Sequence, residues 1–107
     1  MTSDAHPPKN LKGTATACAR KLRVLADGTR LAVLRALMGR SMHVHELSAK
    51  LKVEQSLLSH HLRTLRDTGL VVVERDGKQM LYRIAPSVTL KGRMGALDLG
   101  CCFLSFD

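Results

Sequence analysis

The chain has 107 residues, which suits one compact domain with one core and leaves little room for a buried active-site cleft. Hydrophobic residues make up 45% and charged residues 24%, a balance that excludes a disordered chain; aromatics at 3%, with no Trp, argue for a core of Leu, Val, Ala and Met on helices rather than a β-sandwich. Seventeen Lys and Arg against nine Asp and Glu give a net charge of +8, which points to a polyanionic partner, nucleic acid before an anionic membrane surface.

The segment from Met1 to Lys12 is polar, holds Pro7 and Pro8, and has no apolar h-region, so it does not read as a secretory signal. Residues 1–13 read as a loose arm. Helical periodicity begins near Thr14, where Ala15, Cys18, Ala19, Leu22, Leu25 and Ala26 recur at spacings of three and four. Asp27-Gly28 interrupts the stripe. Thr29 is then placed to cap a second helix carrying Leu31, Leu34, Leu37 and Met38. Gly39-Arg40-Ser41 closes it, and Met42-His43-Val44 reads as a short extended piece. A third, short helix carries Leu47 and Leu51. Lys52-Val53-Glu54 turns the chain into a fourth helix from about Gln55 to Asp67, with Gly69 just past its end. The period then changes: Leu70 to Arg75 is strand-like, Asp76-Gly77 is a strong hairpin signal, and Lys78 to Ile84 returns as a second strand that Pro86 ends. Beyond it, Lys91-Gly92-Arg93-Met94-Gly95 is a poor helix, and Leu97 to Phe106 alternates weakly, as an extended segment does.

A short helix, a tight turn, a second helix and a basic hairpin follow one another in the layout of a winged helix-turn-helix. The expected fold is therefore mainly α with a small β-hairpin: an arm over 1–13, a DNA-binding domain over 14–86 and a tail over 87–107. At 100° per residue, Leu58, Leu62 and Leu65 share one side of the fourth helix, with Leu57 at its margin. Ser56, Ser59, His60 and Arg63 lie opposite. Short hydroxyls and amides suit base edges and arginine suits guanine or phosphate, so Gln55, Ser56, Ser59, His60 and Arg63 are candidate DNA contacts, joined by Arg75 and Lys78 at the hairpin. His61 falls at the core edge, where a packed, hydrogen-bonded structural role is the ordinary one.

Two runs, Leu25-Ala26-Asp27-Gly28-Thr29-Arg30-Leu31 and Gln55 through Val71, resemble the ArsR/SmtB family of bacterial repressors. The resemblance spans about residues 15–86. It implies a dimeric winged helix that represses by occupying operator DNA and lets go when an inducer binds. Glu54 departs from the family, which often places a capping Ser there; Glu is a weaker cap, though its charge suits the positive helix end. The glycine-rich tail also departs from the long final dimerisation helix of the family's metal sensors. The apolar stripe with Ala15, Ala19, Leu22 and Leu25 is expected to pack across a two-fold axis, making a homodimer on a double-stranded, imperfectly palindromic operator. No apolar stretch reaches the ~18 residues of a membrane span, so no membrane partner and a cytoplasmic location are expected.

Family sensors often carry a Cys-x-Cys pair where this chain reads His43-Val44-His45-Glu46. Two surface histidines at a helix start are the ordinary reading, and His43 with His45 is the weaker candidate for a metal site. Cys101-Cys102 is the stronger one. Adjacent thiolates reach one soft ion even though neighbours in the chain rarely meet disulfide geometry, and soft thiolates select thiophilic metals and As(III) or Sb(III). Cys18 is the candidate third ligand. No cofactor is required; the inducer is expected to be a trivalent arsenical, antimonite or a soft metal ion. The alternatives are a thiol-redox or persulfide-responsive repressor, with a relaxed bridge from Cys18 to Cys101 or Cys102, and, from another class, a soft-metal buffer or protein-interaction module. Three cysteines and no enzymatic motif, neither a glycine-rich phosphate loop nor a nucleophile with a base, fit a non-enzymatic protein of a reducing compartment.

Overall fold

The computed structural model describes residues 9–89 and 95–106. In chain order they form α1 (Lys9–Leu25), α2 (Gly28–Leu37), β1 (Met42–His43), α3 (Val44–Leu51), α4 (Gln55–Asp67), β2 (Val71–Asp76), β3 (Gln79–Ile84), a 3₁₀ turn (Pro86–Val88), β4 (Ala96–Asp98) and β5 (Phe103–Ser105). Four helices with a small antiparallel wing make a winged helix-turn-helix. The start of α1 at Lys9 puts residues 9–13 of the expected arm into helix. Residues 1–8 of that arm and most of the glycine-rich stretch after Thr89 lie outside the described residues.

Helix α2 is capped by Asp27 and not by Thr29. Asp27 is extended (φ −152°, ψ 123°), so its carboxylate folds over the helix start and accepts the Arg30 N–H at 3.0 Å. That hydrogen bond holds the Asp27 carboxyl below the usual carboxylate range. Between α3 and α4 the chain turns at Lys52, which is left-handed at φ 57°. Ser48 Oγ donates to the Val53 carbonyl at 2.6 Å and ties the turn back onto α3. Gly69, at φ 83°, ends α4 as expected, with the Leu70 N–H returning to the Leu65 carbonyl at 3.0 Å.

The sheet has the order β1-β3-β2, with Met42 paired to Tyr82 and Val71 to Ile84. Leu34, Leu47, Leu58, Leu62, Leu65 and Leu70 are wholly buried beneath it. The chain beyond the wing joins the same core: Val88, Leu97 and Leu99 pack into it, and β4 and β5 close a second antiparallel hairpin in the register Leu97↔Leu104. The weak alternation of the tail thus marks a hairpin and not a helix. Leu25 is buried inside the protomer, whereas Leu22 is 47% and Phe103 65% exposed. Ala15 and Ala19 are exposed as well. Among the described residues, no helix is long and apolar enough to cross a membrane.

Candidate nucleic-acid interface and three-sulfur cluster

Helix α4 divides as its period requires. Leu58, Leu62 and Leu65 are sealed in the core, while Gln55, Ser56, Ser59, His60 and Arg63 are all exposed. Ser56 Oγ donates to a Glu54 carboxylate oxygen, so the residue that replaces the usual cap is tethered to the first turn through a side chain. The wing projects Arg75 and Lys78 into solvent. Its strands run in register to Asp76↔Gln79, which leaves Gly77 and Lys78 as a two-residue turn with Gly77 at φ 65°. Leu57, at the core margin by its angular position, is 49% exposed, on the outward side of α4. That position, one step from the polar face, is the signal in the sequence.

His61 is 8% exposed, and its Nδ1 lies 3.1 Å from a terminal guanidinium nitrogen of Arg30. The same Arg30 donates through Nε to the Val24 carbonyl at 2.6 Å. One guanidinium therefore joins the end of α1 to the middle of α4. A guanidinium has no acceptor, so Nδ1 accepts and His61 is a packed structural residue, as expected from its place at the core edge.

The cysteines come together from opposite ends of the chain. Cys18 on α1 and Cys101 between β4 and β5 form a disulfide with a Cα–Cα distance of 6.0 Å across a sequence separation of 83. Cys102 remains a free thiol, its sulfur 3.8 Å from that of Cys101. All three sulfurs lie within 4.8 Å of one another, and among the described residues they make the one such group of His, Cys, Asp or Glu placed to share an ion. The turn that presents them is built locally. Gly100 is left-handed at φ 90°, its N–H goes to Asp98 Oδ1 at 2.8 Å, and the Leu99 N–H goes to the Cys102 carbonyl at 2.9 Å. Lys21, one turn after Cys18 on α1, reaches across to the Leu99 carbonyl at 3.0 Å and pins the turn against the helix. The adjacent pair does not bridge itself; Cys18 takes Cys101, one of the two pairings expected of a relaxed bridge. Three sulfurs fit a soft, trigonal ion once the bridge is reduced, because thiolates and not disulfide sulfurs are the ligands.

The two candidate histidines part company. His45 is exposed and its ring stacks on His43 with centroids 5.6 Å apart. His43 has both nitrogens engaged by carboxylates: Nδ1 with Glu46 Oε1 at 2.9 Å and Nε2 with Asp76 Oδ2 at 2.8 Å. The Asp76 carboxylate, followed by that of Glu46, raises the His43 pKa above its ordinary value. Glu46 also accepts the His43 backbone N–H at 2.8 Å and pairs with Arg40 at 2.6 Å; the backbone bond is the main reason its carboxyl titrates below the usual range.

A family model of bacterial regulatory proteins of the arsR family matches residues 27–73. The chain is 39% identical over 84 residues to the HTH-type transcriptional repressor SmtB of Mycobacterium tuberculosis, a match covering 78% of this chain and 60% of that protein. It is 38% identical over 79 residues to the biofilm growth-associated repressor of Agrobacterium fabrum, covering 74% of this chain and 68% of that one. Among solved structures, the homodimeric winged helix-turn-helix DNA-binding domain of Mb0332 from Mycobacterium bovis superposes with a TM-score of 0.67 at 28% identity, covering 76% of this chain and 75% of that chain. The match spans about 60% of the length of the mycobacterial repressor.

Proposed function

The chain belongs to the ArsR family of bacterial regulatory proteins, and from that membership we propose that it is a homodimeric transcriptional repressor whose grip on operator DNA is released by chemistry at Cys18, Cys101 and Cys102. Membership marks a DNA-binding regulator, not an enzyme. In this reading α4 enters the major groove, with Gln55, Ser56, Ser59 and His60 toward base edges, and Arg63, Arg75 and Lys78 hold phosphates. Exposure of Leu22, Ala15 and Ala19 along α1 supports a second copy packed on that helix.

The observation that carries the sensing half is the gathering of three sulfurs within 4.8 Å from α1 and the far hairpin. The inducer is a trivalent arsenical, antimonite or a soft metal ion. Arsenite suits the reduced cluster: three thiols displace three hydroxyls from As(OH)₃, each thiol proton leaving with a hydroxyl as water. A methylated arsenical needs two of the three. A second reading is favoured by the Cys18–Cys101 bond itself, namely a thiol-redox or persulfide-responsive repressor in which making or reducing that bridge is the signal. A soft-metal buffer accounts for the sulfurs but not for the polar face of α4, and a protein-interaction module does not account for +8.

The test is release from a fluorescent operator duplex, with the protein reduced and then challenged in turn with As(III), Sb(III), Cd²⁺, Zn²⁺, persulfide and a disulfide-forming oxidant. Release by As(III) and Sb(III) at stoichiometric concentration supports the first reading. Release by oxidant or persulfide alone favours the second. Retention of DNA under every challenge overturns both.

A further inference from the structure

The hairpin that forms the wing ends in an acid. Asp76 stands between Arg75 and the Gly77-Lys78 turn, on the part of the molecule that the proposed docking brings against phosphate. A bare carboxylate there repels the DNA that its neighbours attract. In the structure it is not bare, because His43 Nε2 meets it at 2.8 Å, across 33 residues of sequence. His43 sits at the junction of β1 and α3, so its ring spans from the helix-turn-helix to the wing tip. Its other nitrogen is 2.9 Å from Glu46.

Two carboxylates, one on each ring nitrogen, define the protonation state. A carboxylate only accepts, and a neutral imidazole has one N–H, so a ring that donates on both sides is imidazolium. We propose that His43 is a positioning residue for DNA binding: as an imidazolium clamped between Glu46 and Asp76, it fixes the wing against α3 and cancels the charge of Asp76 at the phosphate-facing tip. The inference rests on wing-mediated DNA binding, and it concerns residues outside both the recognition helix and the sulfur cluster.

Every neighbour bears on the sign. On α3, Glu46 is shared with Arg40, whose cation offsets part of the Glu46 charge, and His45 stacks on the ring from the same helix. On the wing, Asp76 is the charged partner, while the residue paired with His43 across the sheet is Leu81, which carries no charge. The shallow pocket beside the ring is lined by Val44, His45, Gln55, Gln79 and Met80, of which His45, already named, is the one titratable group. The anions therefore prevail and the His43 pKa is raised. A raised pKa means the clamp is complete below the ordinary histidine range and is lost as pH rises through the folded value, when one of the two hydrogen bonds disappears.

The experiment uses His43→Gln and Asp76→Asn. Asp76 is the last ladder position before the Gly77-Lys78 turn, paired with Gln79, so the near-isosteric Asp76→Asn leaves the turn residues untouched and removes the charge. Operator affinity is measured from pH 6 to 9 at constant ionic strength for the reduced protein. The readout is the ratio of wild type to variant, which cancels any pH dependence the three proteins share. The expected result is a wild-type advantage over His43→Gln of about five-fold on the acid side that disappears on the alkaline side. In Asp76→Asn the slope of affinity against pH flattens. A second arm needs no DNA: in the wild type, the Gly77 amide resonance should follow the His43 ring titration, and in Asp76→Asn that titration should move to lower pH. A ratio constant across pH, or a Gly77 amide indifferent to His43, overturns the clamp. Absence of operator binding by the wild type strikes the DNA reading instead, and the resonance arm still decides the clamp.

Discussion

Replacing Lys78 with Ala isolates the electrostatic half of the proposed interface. Lys78 is exposed in the two-residue turn of the wing, outside the core, so the substitution removes one cation and leaves the fold intact. A cation that neutralises one phosphate contributes about 0.9 to the slope of log affinity against log salt. A two-fold dimer loses the contact twice, so the slope falls by about 1.8. Raising salt fourfold, from about 50 to about 200 mM, then weakens the variant about twelve-fold less than the wild type. Fluorescence anisotropy against operator and scrambled duplexes, each over a salt series, measures this directly. The loss should be equal on both duplexes, because phosphate carries no sequence information. An unchanged slope would refute the placement of the wing on the backbone; a slope change confined to the operator would show that Lys78 reads bases.

Ser59→Ala should leave the salt slope alone and change which operator positions tolerate mismatch, as read by a panel of single-base-pair variants, since its hydroxyl is neutral and faces outward from α4. Replacing both Cys101 and Cys102 with Ser should preserve repression and abolish release by every thiophilic inducer. Cys18→Ser should abolish the arsenite response while leaving that to a methylated arsenical, which needs only two thiolates; a double Cys101, Cys102 variant that still releases DNA on metalloid places the sensor elsewhere.

The sequence made α4 and the wing legible because both are local. Leu58, Leu62 and Leu65 carry the helical period, and Asp76-Gly77 marks the hairpin, although the turn itself falls one residue later, at Gly77-Lys78. The start of α1 is not legible because Lys9, Asn10, Lys12 and Gly13 carry no apolar stripe, yet the helix runs through them. Asp27 and Thr29 both suit the cap of α2 by residue type, and only the extended backbone at Asp27 decides between them. The members of the sulfur cluster, Cys18, Cys101 and Cys102, are legible by residue type, but the path that joins them is not: the return of a weakly alternating tail onto α1 depends on Leu97 and Leu99 entering a core assembled elsewhere. The His43 clamp is not legible at all. His43 meets Asp76 because β1 pairs with β3, a contact that no local pattern encodes.

Arg30 offers a route from the sulfur cluster to the DNA face that is open to test. Cys18 and Val24 share α1, and the Val24 carbonyl accepts from Arg30 Nε at 2.6 Å. The other end of the guanidinium meets His61 on α4, a residue whose neighbours Leu58, Leu62 and Leu65 are fully buried. Ligation that shifts α1 therefore pulls on a packed recognition helix and not on a loose one, and packed elements respond as bodies. Arg30→Met removes both side-chain bonds and leaves the Val24 carbonyl and His61 Nδ1 without their donor, which should cost about 1–3 kcal/mol in urea unfolding. His61→Leu removes the acceptor, and the two together should cost less than the sum of the singles, because they delete one shared interaction. The functional consequence is separable from stability. Arg30→Met at a temperature where it is folded should still bind arsenical at its thiols, monitored by ultraviolet thiolate absorbance, yet release operator at higher inducer concentration than the wild type. An additive cycle together with an unaltered release curve would mean that the signal reaches α4 by a path that bypasses Arg30, through the dimer contacts of α1 alone.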